Sequence, residues 1–322
     1  MPNTTRTEIA SENASLYSRE LLERAVPYLA HTLFAQVRDI PAGSGTDTIK
    51  MRKYGNLTAQ TTPLSEGVTP SGSQLSATDV TAQVQYYGDF ITLTDKVSLE
   101  TLDPILMETA GILGDQAGDS VDQIARDVLV AGTTVQYAST ATQRTEITAA
   151  MKLTAAEVKE AVRTLKVNLA RPITTMINPS TGYNTVPLKR SYVMLVHPNT
   201  SFDIEDAAGF TPVEKYANKA DVMVNEIGAF PYVRVIESTN AKVFTAGGYS
   251  SADVYASLIF GMNAYGISRI SSLTMQNIVK PLGSAGTADP LNQRATSGWK
   301  LTFVAKILQQ AWILRIEHGV SA

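Results

Sequence analysis

The chain has 322 residues, no cysteine, a formal net charge of −3 and only 18% charged residues. The missing cysteines exclude disulfides, thiolate-held metals and a cysteine nucleophile, and the absence of a basic surplus argues against a dedicated nucleic-acid binder. A charged share below the roughly 25% of ordinary soluble domains points to surface that is not left facing water. The length suits about two domains. The first residues, Met1-Pro2-Asn3-Thr4-Thr5-Arg6, carry no apolar stretch, and no apolar run approaches a membrane span. A soluble chain made in the cytosol is expected.

In chain order, residues 15–34 read as a helix interrupted by Pro27. Leu16, Leu21, Leu22, Val26 and Leu29 recur at helical spacing, opposite Arg19, Glu20, Glu23 and Arg24. The element is either a cap on its own core or an arm lying on another subunit. Next come two alternating, strand-like runs, "TIKMRKYG" (48–55) and "VTAQVQYYGDFITLTDKV" (80–97), with Gly88 marking a bulge or bend. Between them lies a segment of 27 residues, 54–80, holding five Thr, four Ser, three Gly and two Pro but only two charges, Glu66 and Asp79. Two alternating arms around one polar segment make a hairpin. Its connection far exceeds the usual two to five residues, so it is either a disordered flap or a long two-stranded finger.

Residues 103–131 carry the clearest helix signal. Asp103 and Pro104 suit the N-terminus, Gly132 the stop, and Ile105, Ile112, Val121, Ile124 and Val128 repeat with helical period. Its polar side is acidic, with Glu108, Asp115, Asp119, Asp122 and Asp127 answered only by Arg126. Gly111, Gly114 and Gly118 each cost roughly 1 kcal/mol against Ala in a helix, which suggests close approach by another element. A second helix, about 154–169, opens on the capping-box pattern Thr154-Ala-Ala-Glu157. Strands follow at 191–198, 232–238 and 254–261, between loops at 178–187 and 280–290. The end, 298–319, reads as two strands around Gln309-Gln310. Mixed α+β, without regular βαβ alternation, is the expected class.

Little in the chain speaks for chemistry. His31, His197 and His318 are far apart and fall in no ligand spacing, and no Walker loop, nucleophile elbow or dinucleotide fingerprint occurs. His197-Pro198 at a strand end reads as structural. The helix carboxylates read as a solvated face rather than a Mg²⁺ or Ca²⁺ site. No enzyme activity and no cofactor is expected.

Five stretches resemble the major capsid proteins of tailed bacteriophages, in the family typified by podophage N-four. They are "LYSRELLERAVPYLAHTLFAQVRDIP" (16–41), "KMRKYGNLTAQTTPLSEGVTP" (50–70), "YYGDFITLTDKV" (86–97), "GDQAGDSVDQIARDVL" (114–129) and "GWKLTFVAKILQQAWILRIEHG" (298–319). The resemblance implies a Hong Kong 97-type capsid fold. In it, 1–46 is the N-terminal arm and lead-in, and 47–87 the E-loop hairpin. Residues 88–149 form the first part of the P-domain with a spine helix at 103–131, 150–250 the A-domain, and 251–322 the return to the P-domain. The implied function is self-assembly, as hexamers and pentamers, into an icosahedral head around double-stranded DNA, without sequence-specific binding and without a membrane. Portal and scaffolding proteins are implied partners, with a decoration or cement protein as a further one. The implied location is the virion capsid, assembled in the host bacterial cytoplasm.

On this reading the polar finger lies along a neighbouring subunit, where uncharged hydroxyl-bearing residues are buried without stranding ions. Inter-subunit contacts are expected at Lys50, Arg52 and Lys53 of the hairpin base and Leu64, Val68 and Leu75 of the finger. Asp115, Asp119 and Asp122 of the spine helix are expected to meet that basic base across the interface. A short arm implies a separate scaffolding protein and no proteolytic maturation. The alternatives are the shell of a cargo-enclosing bacterial nanocompartment, which shares the fold, and, remotely, a soluble enzyme or adhesin domain.

Overall fold

A computed structural model describes residues 29–321 apart from 44, 55–56, 65, 68, 70, 97–104, 178–184, 217–221, 272–273 and 285–288. The chain opens with β1 (Gln36–Val37), β2 (Thr48–Tyr54), β3 (Ala77–Gln83) and β4 (Gln85–Thr94), then α1 (Ile105–Val130), β5 (Val135–Tyr137) and α2 (Ala155–Val167). It continues through β6 (Ile173–Ile177), β7 (Thr185–Val196), α3 (Pro198–Glu205), β8 (Thr211–Pro212), β9 (Glu226–Phe230), β10 (Val233–Glu237) and β11 (Val243–Phe244). It closes with β12 (Val254–Phe260), β13 (Tyr265–Ser268), β14 (Gln276–Lys280), β15 (Arg294–Ile307) and β16 (Ile313–His318). The class is mixed α+β, as the sequence pattern predicts.

The larger sheet has nine strands, in the order β5-β16-β12-β7-β10-β9-β8, with β11 added to β12 and β6 to β7. Its central strands are apolar on both faces because both faces are covered. Val193 and Leu195 of β7 pack with Ile236, Leu258, Phe260 and, from α1, Leu129 and Val130. Met194 and Val196 point the other way, onto Val158, Val162 and Leu165 of α2. Such continuous runs are what a two-sided core requires. Helix α2 starts where the capping box predicts. The Thr154 side chain accepts from Glu157 N–H, and the Glu157 carboxylate accepts from Thr154 N–H.

The second sheet runs β1-β13-β15-β14, with β4 on the other side of β15. Strand β15 is paired over ten residues with β4, from Arg294↔Thr94 to Phe303↔Gln85. Helix α1 lies across this sheet. Its buried stripe is Leu113, Ala117, Val121 and Ala125, set against Trp299, Leu301, Phe303 and Ala305. Gly111, Gly114 and Gly118 are buried, in agreement with close approach. Ile112, expected inside, is 55% exposed, because at that turn the helix presents Leu113 to the sheet instead.

Three further expectations need correction. The N-terminal helix does not reach residue 34, since residues 31–34 form turns ahead of β1; its earlier part lies outside the described residues. The strand at 80–97 breaks at Val84, not at Gly88. Gly88 instead sits within β4, where a Cβ would come 2.5 Å from the Trp299 carbonyl oxygen, so the glycine permits close strand approach. The loop expected at 178–187 is strand from Thr185 onward. The proposed caps Asp103 and Pro104 lie outside the described residues.

At the end of β16, His318 is buried between two partners. Gly319 O, 2.8 Å from Nδ1, can only accept, so Nδ1 carries the proton and Nε2 accepts from the Ser257 hydroxyl at 2.9 Å. Burial holds the ring to about pH 4, well below its ordinary value, despite the Gly319 carbonyl and the charge of Asp203. As pH falls from ~6.5, the unfolded chain takes up this proton before the folded one, so stability present at neutral pH is lost down to about 4. We expect about 2 kcal/mol of stability to go between pH 7 and 5 through this group. Urea titrations of the subunit should show the slope, and His318→Gln should flatten it; an equal slope in that variant would contradict the assignment.

Candidate functional site: the exposed hairpin

Strands β2 and β3 pair antiparallel over seven residues, from Thr48↔Gln83 to Tyr54↔Ala77. One face of this ladder is anchored. Met51, Ala82 and Val84 are buried, and Val84 N–H donates to Asp47 O at 2.9 Å. A Cβ on Gly266 of β13 would lie 3.1 Å from Met51 Sδ, so the hairpin base is pressed onto the second sheet. The other face carries Lys50 and Arg52, opposite Thr81 and Asp79.

Beyond Tyr54 and Ala77 the described residues form no further ladder, and every described residue from 57 to 79 is exposed. The two-stranded part ends at Tyr54 and Ala77, and the described residues beyond it form an exposed, unpaired loop (the finger). Leu57, Leu64 and Leu75 are 57%, 73% and 58% exposed. Glu66 is the only charge between Tyr54 and Asp79. The stretch is thus neither charged for water nor packed on its own core. The whole chain exposes 18832 Å², against about 13,000 Å² for a globular monomer of this mass.

The charges are arranged differently from expectation. Arg52 is answered inside its own hairpin, with Nε 2.8 Å from Asp79 Oδ1 and the second guanidinium nitrogen 3.3 Å from Oδ2. That hydrogen bond, with the nearby charges of Arg52 and Lys50, holds the Asp79 carboxyl below the usual range, and the Arg52 guanidinium is pushed up in turn. Lys50 is exposed on the same face. Lys53 pairs in the ladder opposite Thr78; its side chain, like Val68, lies outside the described residues.

Asp122 is not available to a neighbour. It is fully buried in its own subunit, where Oδ1 accepts from His31 N–H and Oδ2 faces His31 Nδ1, both at 2.7 Å. Asn240 donates to the same carboxylate at 3.3 Å. The spacing that puts Asp115, Asp119 and Asp122 near one another therefore does not make one exposed acidic face. Asp115 and Asp119 are half-buried, and Asp119 accepts from Gln123 at 2.8 Å.

Two exposed aromatics of β4 were not singled out by sequence: Tyr86 and Phe90, 56% and 66% exposed. They sit on the sheet face away from α1. The alternation expected to continue from Val80, Ala82 and Val84 to Tyr86 shifts at the break at Val84, so that Tyr87 and Ile91 face the core instead. Lys300 of β15 lies over the Tyr86 ring at 4.9 Å. Among the described residues no cluster of His, Asp and Glu fit for a metal ion is found. No described helix is long and apolar enough to cross a membrane.

Residues 102–288 match the family described as phage capsid protein. No curated protein matches the sequence. The fold is similar to the capsid of Ralstonia phage GP4, with a TM-score of 0.72 at 12% identity over 90% of this chain and 88% of that one. The capsid protein of cyanophage Pam1 gives 0.65 at 15% identity, over 93% and 92%. The head structure of Helicobacter pylori bacteriophage KHP40 gives 0.64 at 13%, over 91% and 89%.

Proposed function

The chain belongs to the phage capsid protein family, and from that premise we propose that its exposed finger is the element by which copies of this major capsid protein clasp one another. The single observation behind this reading is the run of exposed, nearly uncharged residues from 57 to 79. Threonine and serine hydroxyls and backbone groups there offer hydrogen bonds to a neighbour, and Leu57, Leu64 and Leu75 offer apolar contact. The subunits form hexamers and pentamers of an icosahedral head that encloses double-stranded DNA, assembled in the bacterial cytoplasm with portal and separate scaffolding proteins. Residues 1–46 serve as the arm, 47–87 as the E-loop, 88–149 and 251–322 as the P-domain, and 150–250 as the A-domain. A net charge of −3 suits a container, since a basic lining would grip the packaged phosphates. The role is structural, with no reaction catalysed.

Electron microscopy of the expressed protein should show closed shells; small soluble oligomers at assembly concentrations would refute the reading. The lock between subunits should be non-covalent. Gly55–Val80 contains no lysine to act as an amine nucleophile, and the chain has no cysteine. Boiled in detergent, mature particles should give one band near the subunit mass of 34.6 kDa. A ladder of covalent multimers would contradict this.

A further inference from the structure

Between the hairpin base and the loops at residues 168–171 and 308–312 lies a cleft of about 570 Å³. Three arginines line it, Arg38, Arg52 and Arg171, and among the described residues no aspartate or glutamate does. The backbones of Arg38 and Arg171 are fixed: Arg38 N–H donates to Ile267 O at 3.0 Å, and Arg171 O accepts from Met262 N–H at 2.8 Å. Both residues are exposed, and among the described residues neither side chain makes a hydrogen bond or ion pair. Arg52 alone is answered, by Asp79. The remaining lining is mixed, with Met51, Val80, Leu308 and Trp312 beside side-chain amides such as those of Gln36 and Gln309. Met51 is buried against the body, and Trp312 is held by its indole N–H, which donates to Asn168 O at 3.1 Å.

Guanidinium groups gathered in one concavity repel each other unless carboxylates or phosphates join them. The chain carries 30 Asp and Glu, and copies of it pack side by side in a shell, so each cleft has carboxylates of a neighbouring copy at hand. We propose that this cleft receives a carboxylate-bearing edge of a second copy, with an apolar side chain of that edge against Trp312. The inference rests on the finger reading above. Met51 and Arg52 belong to the strand from which the finger extends, so whatever lies beneath the finger continues into the cleft. A DNA duplex is the poorer occupant. It is too broad for a space of this size, which suits a small group of side chains, and its phosphates offer nothing to Met51 and Trp312.

Two experiments test this. The absence of native cysteine lets Gln36→Cys, on the cleft wall, carry a benzophenone maleimide as the sole label. Irradiated in assembled shells, it should give an adduct of twice the subunit mass, whose cross-linked peptide comes from this same sequence and contains Asp or Glu. An adduct with DNA or with a different protein, or no adduct at all, overturns the proposal. Separately, the double reversal Arg38→Glu/Arg171→Glu should lower shell yield at least tenfold with an unchanged urea midpoint of the free subunit, while Arg38→Lys/Arg171→Lys retains most of the yield. Wild-type yield from the double reversal would overturn the cleft and leave the finger reading standing. Failure of the wild-type chain to form shells at all would overturn both.

Discussion

Replacing residues 55–76 by Asn-Gly should leave a folded subunit that forms no shells. Tyr54 and Ala77 are the last cross-strand pair of the ladder, so a two-residue turn closes it directly. Asn-Gly adopts the type I′ turn whose twist matches paired strands. The described residues from 57 to 76 are all exposed, so their removal uncovers no core in their own subunit. The seven-residue ladder and its buried Met51, Ala82 and Val84 are kept. The urea midpoint of the free subunit should therefore change little, while sedimentation should show only small species where the intact chain gives particles. Normal shells from the shortened chain would show that the finger is dispensable.

Asp122→Ala should cost about 2–6 kcal/mol, from two buried groups left without an acceptor at about 1–3 kcal/mol each. Asp122 and His31 are both inaccessible, and the carboxylate holds the His31 backbone N–H as well as the ring. The Tyr265 hydroxyl donates to His31 O at 2.6 Å, so the segment entering β1 is fixed from two sides. Without the carboxylate, a buried N–H and a ring nitrogen lose their acceptor. Asp122→Asn keeps the shape and one oxygen and should lose clearly less. Urea unfolding measures both; a cost below about 1 kcal/mol for the alanine variant would mean that the pair contributes little.

What the sequence made legible was what is decided locally or by burial on both sides. The capping box at Thr154 is chemistry within four residues, and α2 begins there. The apolar runs of β7, β10 and β12 read as strands because each lies between two packed layers. Helix α1 was found from its period, and Val121, Ile124 and Val128 do face the core. Ile112 does not, and nothing in the sequence signals that Leu113, Ala117, Ala125 and the buried glycines complete the contact with β15. Asp122 looked like surface for the same reason that buried acids generally do. Nothing near it in sequence reveals that His31 arrives from 91 residues away to satisfy it. Arg52 was correctly placed on the hairpin, yet its partner Asp79 follows only from the register of the ladder. The finger was legible through its composition alone, since few segments are at once polar, uncharged and long.

The order in which strands join has a consequence during synthesis. Strand β15 connects β4, β13 and β14, and β16 connects β5 and β12. All five of those partners leave the ribosome before residue 294. Until residues 294–318 emerge, β4 and β14 have no strand partner and β5 cannot join the larger sheet, although β12, β7, β10, β9, β8, β11 and β6 can already pair among themselves. A subunit of this design completes both large sheets only with its last two strands, so a chain stalled midway lacks the whole body that a growing shell would have to accept.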